Sequence, residues 1–321
     1  MDLIYTNAQK IDQGILKAYA LDLSYGAEEN DFTMTLGKSE AQLEYGAFIY
    51  IENTEYGGIV DGKKASTGGD TITYSGRTWH GILNSKVIEP PTGLDYLTVS
   101  GDLNDILAIL ISRLGLGGLF ATIGKAANIT LPTYQFERYC KAYDGIRKML
   151  SSAGAKLKIR WVDRRVQISA EPIVDYSKFP VDEDTAVLTV EQHDKKVNHL
   201  ICLGKGELSD REVIHLYVDQ FDRIRTEPYY TGLDEITDVY ENTNAESSDE
   251  LRNGGIERLN ELRDNDTSEM AISENDELVY DIDDIVGASI VSHGITASSK
   301  VTQKIIKINN GMVNTEYKVG S

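Results

Sequence analysis

The residues able to do chemistry are few, and their spacing suits little of it. Five histidines, His80, His193, His199, His215 and His293, occur in 321 residues, and none stands in a His-x-x-x-His or Cys-x-x-Cys arrangement. Zinc-finger and zincin patterns need such spacings so that two ligands reach one ion from one helix face or one turn. No metal ligand is therefore assigned. His199 lies three residues before Cys202, and strand residues three apart project from opposite faces, so a thiol–imidazole pair is geometrically poor. His80 follows Trp79, an aromatic pair that reads as packing. Gly57 and Gly62-Lys63 begin a phosphate-loop spacing, but Lys64 stands where a Ser or Thr must reach Mg²⁺. Leu114-Gly115-Leu116-Gly117-Gly118 follows a predicted helix, whereas a dinucleotide loop follows a strand. Neither catalytic residues nor a cofactor are expected.

Charge is the stronger signal. Lys and Arg number 32 against 51 Asp and Glu, a net charge of −19, which would repel nucleic acid from most of the surface. Residues 1–90 hold 7 basic and 13 acidic side chains, residues 91–180 hold 12 and 8, and residues 181–321 hold 13 and 30. The middle segment alone is basic. Its Lys156, Lys158, Arg160, Arg164 and Arg165 concentrate on one predicted hairpin, a candidate assembly interface for an acidic neighbour. In the acidic segment Glu274, Asp276, Glu277, Asp281, Asp283 and Asp284 match no calcium loop. They are expected to form a solvated face or, in an assembly, the wall of a lumen that a polyanion slides past.

The elements that must position these groups change in period twice. Up to residue 89, short runs alternate with period two: Phe32 to Leu36, Phe48 to Ile51, Tyr56 to Val60, Ile72 to Tyr74 and Trp79 to Ile88 predict strands, with Asp61-Gly62 as a hairpin turn. After Pro90-Pro91 the period becomes helical. Leu103, Ile106, Leu107, Leu110, Ile111 and Leu114 share one face, with Ser100 or Asp102 as N-cap and Gly115 as the stop. A second helix is predicted from about 134 to 152. A hairpin of Lys156–Val162 and Arg165–Ala170 follows it, turning at Asp163-Arg164. Strands return after Pro180 at 186–190, 197–203, 213–218, 269–272, 285–291 and 301–317, with a helix near 247–263. The expected domains are 1–98, 99–180 and 181–321, giving an α+β protein that is mostly β. Two cysteines, Cys140 and Cys202, are too few for a disulfide framework, and no secretory signal or membrane-spanning segment is read.

Gly76-Arg77-Thr78-Trp79-His80-Gly81-Ile82-Leu83 with Ser85-Lys86-Val87-Ile88 and Pro90, then Asp95 to Gly101, resembles the hub proteins of phage tail baseplates from Gram-positive phages, prophages and phage-tail-like particles. Tyr134-Gln135-Phe136, Tyr139-Cys140-Lys141, Lys196 to Cys202 and Asp283 to Gly287 extend the resemblance over most of the chain. It implies two tail-tube-like antiparallel β-barrel domains with an α+β domain between them. It also implies a homotrimer whose six tube-like domains join a sixfold tail tube to a threefold spike among other baseplate components. The implied location is the baseplate of a virion or tail-like particle. A tail-associated peptidoglycan hydrolase and a glycan-binding tail-tip module are the alternatives. The first lacks a Cys/His or paired-acid site, and the second lacks an exposed aromatic platform because Trp79 and Trp161 fall in alternating strands.

Overall fold

Alternating apolar residues build the first sheet as expected: Leu21, Leu23 and Tyr25 point inward from strand Tyr19–Gly26, as do Phe32, Met34 and Leu36 from Asp31–Gly37. The computed structural model describes residues 1–40, 42–178, 181–182, 196–220, 223–245, 247–264, 272–273, 279–290, 292, 295–309 and 311–320. They divide into one unit of Met1–Thr189 with Glu269–Val319 and a smaller one of Val190–Ser268 with Gly320–Ser321.

In the larger unit one sheet draws strands from both ends of the chain. Its path is Val181–Asp182, Ile285–Ile290, Ile295–Asn309, Tyr19–Gly26, Asp31–Gly37, Thr71–Thr78, Gly57–Ala65, Phe48–Tyr50, Leu3–Thr6 and Asp12–Leu16. Strand Met312–Gly320 pairs beside Ile295–Asn309 across a turn at Gly311, dividing the long run expected over 301–317. The path is open among the described residues, so the implied closed barrels are not formed within it.

Helices α1 (Trp79–Asn84), α2 (Leu103–Arg113) and α3 (Ala142–Ser152) cover this unit's other core, together with the hairpin Ala155–Val162 and Arg165–Pro172. Trp79, Phe48, Tyr50 and Trp161 interlock there, with ring centroids 4.4–5.9 Å apart. Segments 1–98 and 99–180 therefore share one core, and the C-terminal strands belong to the first sheet. The contacts do not divide near 98 and 180.

Three local expectations fail for identifiable reasons. Trp79 to Leu83 are all buried, which removes the contrast that distinguishes a strand from a helix, and they form α1. Thr78 caps it, its Oγ1 accepting from Gly81 N at 3.2 Å and donating to Asn30 O at 2.9 Å. The second helix begins at Ala142 because Tyr139 takes φ +56°, which a helix interior cannot hold. Tyr134 and Gln135 instead end strand Thr130–Gln135. Asp61-Gly62 is a bulge inside strand Gly57–Ala65, where the pairing with Thr71–Thr78 shifts register. α2, by contrast, has its Asp102 cap and Gly115 stop (φ +69°) as expected, and Ser248–Asp264 forms α4.

A Cβ on Gly81 would lie 2.0 Å from Asn30 O, the carbonyl that anchors Thr78. Gly81→Ala should cost about 1–3 kcal/mol. An unchanged urea midpoint would show that this turn tolerates a side chain.

Candidate functional site

The basic hairpin and the acidic turn, read as separate surfaces in the sequence, meet in the folded chain. The hairpin pairs in full register from Ala155↔Pro172 to Val162↔Arg165, and Asp163 (φ +50°) and Arg164 (φ +63°) supply the left-handed turn that matches strand twist. Leu157, Ile159 and Trp161 are buried on one face, as alternation requires. On the other face, Lys156 and Lys158 are covered by the turn before strand Ile285–Ile290. Lys156 Nζ donates to both Asp284 carboxylate oxygens at 2.7 Å and lies 2.9 Å from Asp281 Oδ2. Lys158 pairs with Asp281. From α3, Arg147 grips Asp283 in bidentate fashion, Nε to Oδ2 at 3.0 Å and an η nitrogen to Oδ1 at 2.6 Å.

Backbone donors complete the cluster. Val174 N and Asp281 N donate to the two Asp284 oxygens at 2.9 and 3.0 Å, which explains how a carboxylate 1% exposed is satisfied. Burial by itself would raise the Asp281 carboxyl, but Lys158 and Lys156 outweigh it and hold the group at about 2. Burial likewise opposes the Lys156 ammonium, and Asp284 and Asp281 raise it nonetheless. Asp281, Asp283 and Asp284 are thus occupied by cations of their own chain and leave no free carboxylates for a lumen wall. Glu274, Asp276 and Glu277 lie outside the described residues, as do His193, His293 and the strand expected at 186–190. Of the basic set, Arg160, Arg164 and Arg165 are exposed. Arg164 donates to Lys10 O at 3.0 Å and sits 3.9 Å from Asp12.

A second buried ion pair, invisible in the sequence, joins Lys304 of strand Ile295–Asn309 to Glu55 at 2.7 Å. Near it His80 stacks on Tyr25 at 4.4 Å and meets Tyr143 edge-on at 5.4 Å. Burial pushes His80 down to about 4, with Lys304 and Arg147 adding to the effect against Glu55. It is a neutral packing residue there.

In the smaller unit, strands Ile224–Arg225, Val213–Val218, His199–Leu203 and Thr237–Glu241 lie in that order, the last pair parallel. α4 covers the face bearing Leu200, Cys202 and Leu216. A Cβ on Gly255 would stand 2.3 Å from Cys202 Sγ, so glycine permits this close approach. His199 projects from the opposite face, as its spacing from Cys202 requires, and there it meets His215 and Glu235. Sequence spacing missed this cluster because antiparallel pairing brings together residues 16 apart. The register signal is His199↔Tyr217 with Ile201↔His215. Among the described residues no group of three or more His, Cys, Asp or Glu side chains is placed to hold a metal ion, and no helix is long and apolar enough to cross a membrane.

No protein-family model matches the chain, and no curated protein matches it. Solved structures do. A tail protein from Neisseria meningitidis MC58 superposes with a TM-score of 0.56 at 14% identity, over 100% of this chain and 96% of that one. The 43 kDa tail protein of prophage MuSo2 from Shewanella oneidensis gives 0.59 at 13% identity, over 99% and 98%. The chain has the fold of these tail proteins. Prophage tail protein gp18 from Listeria monocytogenes EGD-e agrees, at 0.53 and 13% identity over 100% and 95%. The resemblance seen in the sequence is thereby met at the level of fold, including its α+β, mostly β, class.

Lys156→Met should destabilise the protein by about 3–5 kcal/mol in urea, since it strands Asp284 in the interior. A loss under about 1 kcal/mol would mean that water reaches the cluster. Acid should act in two stages. His80, lowered when folded, leaves the unfolded chain binding more protons below about pH 6.5, so stability falls by about 3 kcal/mol as the pH drops to 4. Asp281, also lowered, adds stability that is present above its ordinary 3.8 and is lost towards pH 2, about 2 kcal/mol more. Urea midpoints at pH 7, 5, 4 and 2.5 check both stages; a flat profile from 7 to 4 would remove the His80 contribution.

Proposed function

We propose that this chain is a structural baseplate hub of a phage or phage-tail-like particle, a trimeric ring joining the tail tube to the central spike. The observation that carries the proposal is the end-to-end match to tail proteins, in which neither chain has a large part left over. A tail protein of this build works by contact. A hub must hold its shape while partners pull on it, and the buried charge cluster tying the hairpin to the C-terminal strands suits that demand. The hub's partners are the tail tube protein, the spike and other baseplate components, and its place is the baseplate.

Arg160, Arg164 and Arg165 form the exposed end of the basic face and are the proposed electrostatic contact with an acidic neighbour. Lys156 and Lys158 are excluded from that contact by their aspartates.

Light scattering of the chain mixed with tube and spike components should give a complex containing three copies of 35.6 kDa. Arg160→Glu with Arg165→Glu should slow its assembly, most strongly at low salt, while leaving the urea midpoint nearly unchanged. A chain that stays monomeric beside both partners sinks the hub reading. Assembly indifferent to the reversal and to salt rejects only this contact.

A further inference from the structure

The histidine cluster of the smaller unit has a proton arrangement that its hydrogen bonds dictate. His199 Nδ1 lies 2.7 Å from Glu235 Oε1 and 3.2 Å from Thr237 Oγ1, while its Nε2 lies 2.8 Å from His215 Nδ1. A carboxylate only accepts, so with one proton per ring His199 carries its proton on Nδ1. Its Nε2 is then a lone pair. His215 must donate from Nδ1, which leaves its own Nε2 as the free acceptor. The two rings differ in freedom. His199 is buried, held by Glu235 and stacked on Tyr217 at 4.3 Å, whereas His215 is an exposed residue.

We propose that His199 Nε2 and His215 Nδ1 form a two-histidine site for a divalent transition-metal ion, with Glu235 as the outer carboxylate that fixes the buried ring. Zinc–imidazole bonds of about 2.0–2.1 Å in a tetrahedral arrangement place two ligand nitrogens about 3.3 Å apart. The nitrogens here stand 2.8 Å apart and the ring centroids 5.1 Å apart, so His215 Nδ1 lies on the axis of the His199 lone pair, and the exposed His215 ring has to swing aside by roughly 2 Å and turn its own lone pair towards the ion. The balance is simple. The proton on His215 Nδ1 moves through solvent to Nε2, both rings stay neutral, and two metal–nitrogen bonds replace one N–H···N hydrogen bond. Water fills the remaining positions. Imidazole donors select Zn²⁺, Ni²⁺ or Cu²⁺ over Mg²⁺ and Ca²⁺, which prefer oxygen. A carboxylate hydrogen-bonded to the far nitrogen of a ligating histidine is the usual outer support of such a site. The inference stands on these distances and is independent of the hub proposal.

Calorimetric titration of the full chain with ZnCl₂ tests it, with MgCl₂ as the control. One zinc-binding event is expected and none with magnesium. His215→Ala removes an exposed side chain, so its urea midpoint should match the parent while zinc affinity falls at least about tenfold. Glu235→Gln should weaken binding about tenfold without abolishing it. Absence of zinc binding in the parent overturns the proposal. So does equal affinity in the parent and His215→Ala, which would trace the binding to other groups.

Discussion

An ammonium group brought into a protein interior has to be matched there, because its desolvation costs several kcal/mol before any attraction is counted. Lys156 meets that requirement with Asp284 and Asp281, over 120 residues further along the chain. Much of the larger unit depends on the match. Asp284 also accepts from Val174 N, and Val174 O accepts from Ile285 N, so the strand leaving the hairpin and the strand entering the sheet are registered by one carboxylate. Arg147 and Asp283 add α3 to the same junction. Hydrophobic burial supplies most of the stability, but it is indifferent to small slips. Directional charge pairs are not, and they specify which segments meet.

Such a junction was only half legible. The hairpin could be read to its turn residues, because Leu157, Ile159 and Trp161 alternate cleanly and Asp163-Arg164 breaks the pattern. α2 was equally plain, with six apolar residues on one face between a cap and a glycine. The basic and acidic runs were visible too, yet composition carries no information about which charge faces which, and both were expected on the surface. Where every residue is buried, as from Trp79 to Leu83, periodicity has no contrast to report. α1 then rests on a cap, Thr78, whose partner is a carbonyl 48 residues away. The Glu55–Lys304 pair and the His199–His215 contact are products of tertiary register, which one sequence does not display.

The smaller unit solves its packing differently. α4 is weakly amphipathic and carries two glycines in its middle, a poor helix by propensity. Those glycines let it settle directly on Cys202 and Tyr240, so close contact with the sheet offsets what the isolated helix lacks. The other face of that sheet mixes the histidine pair, Tyr217, Thr237 and Glu241 with the aliphatic Ile201, Leu203, Val213 and Val239.

Pairing of Tyr19–Gly26 with Ile295–Asn309 also sets a timetable. At a synthesis rate of about 5–20 residues per second, the partner of that early strand leaves the ribosome many seconds later. Until then the first strands present an unpaired edge, and the loop that must close spans most of the chain, a topology that folds slowly. Completion of the sheet is therefore a late event in the life of each molecule. A chain cut short before residue 295 lacks the strand that covers this edge, so the fold itself discriminates finished copies from unfinished ones.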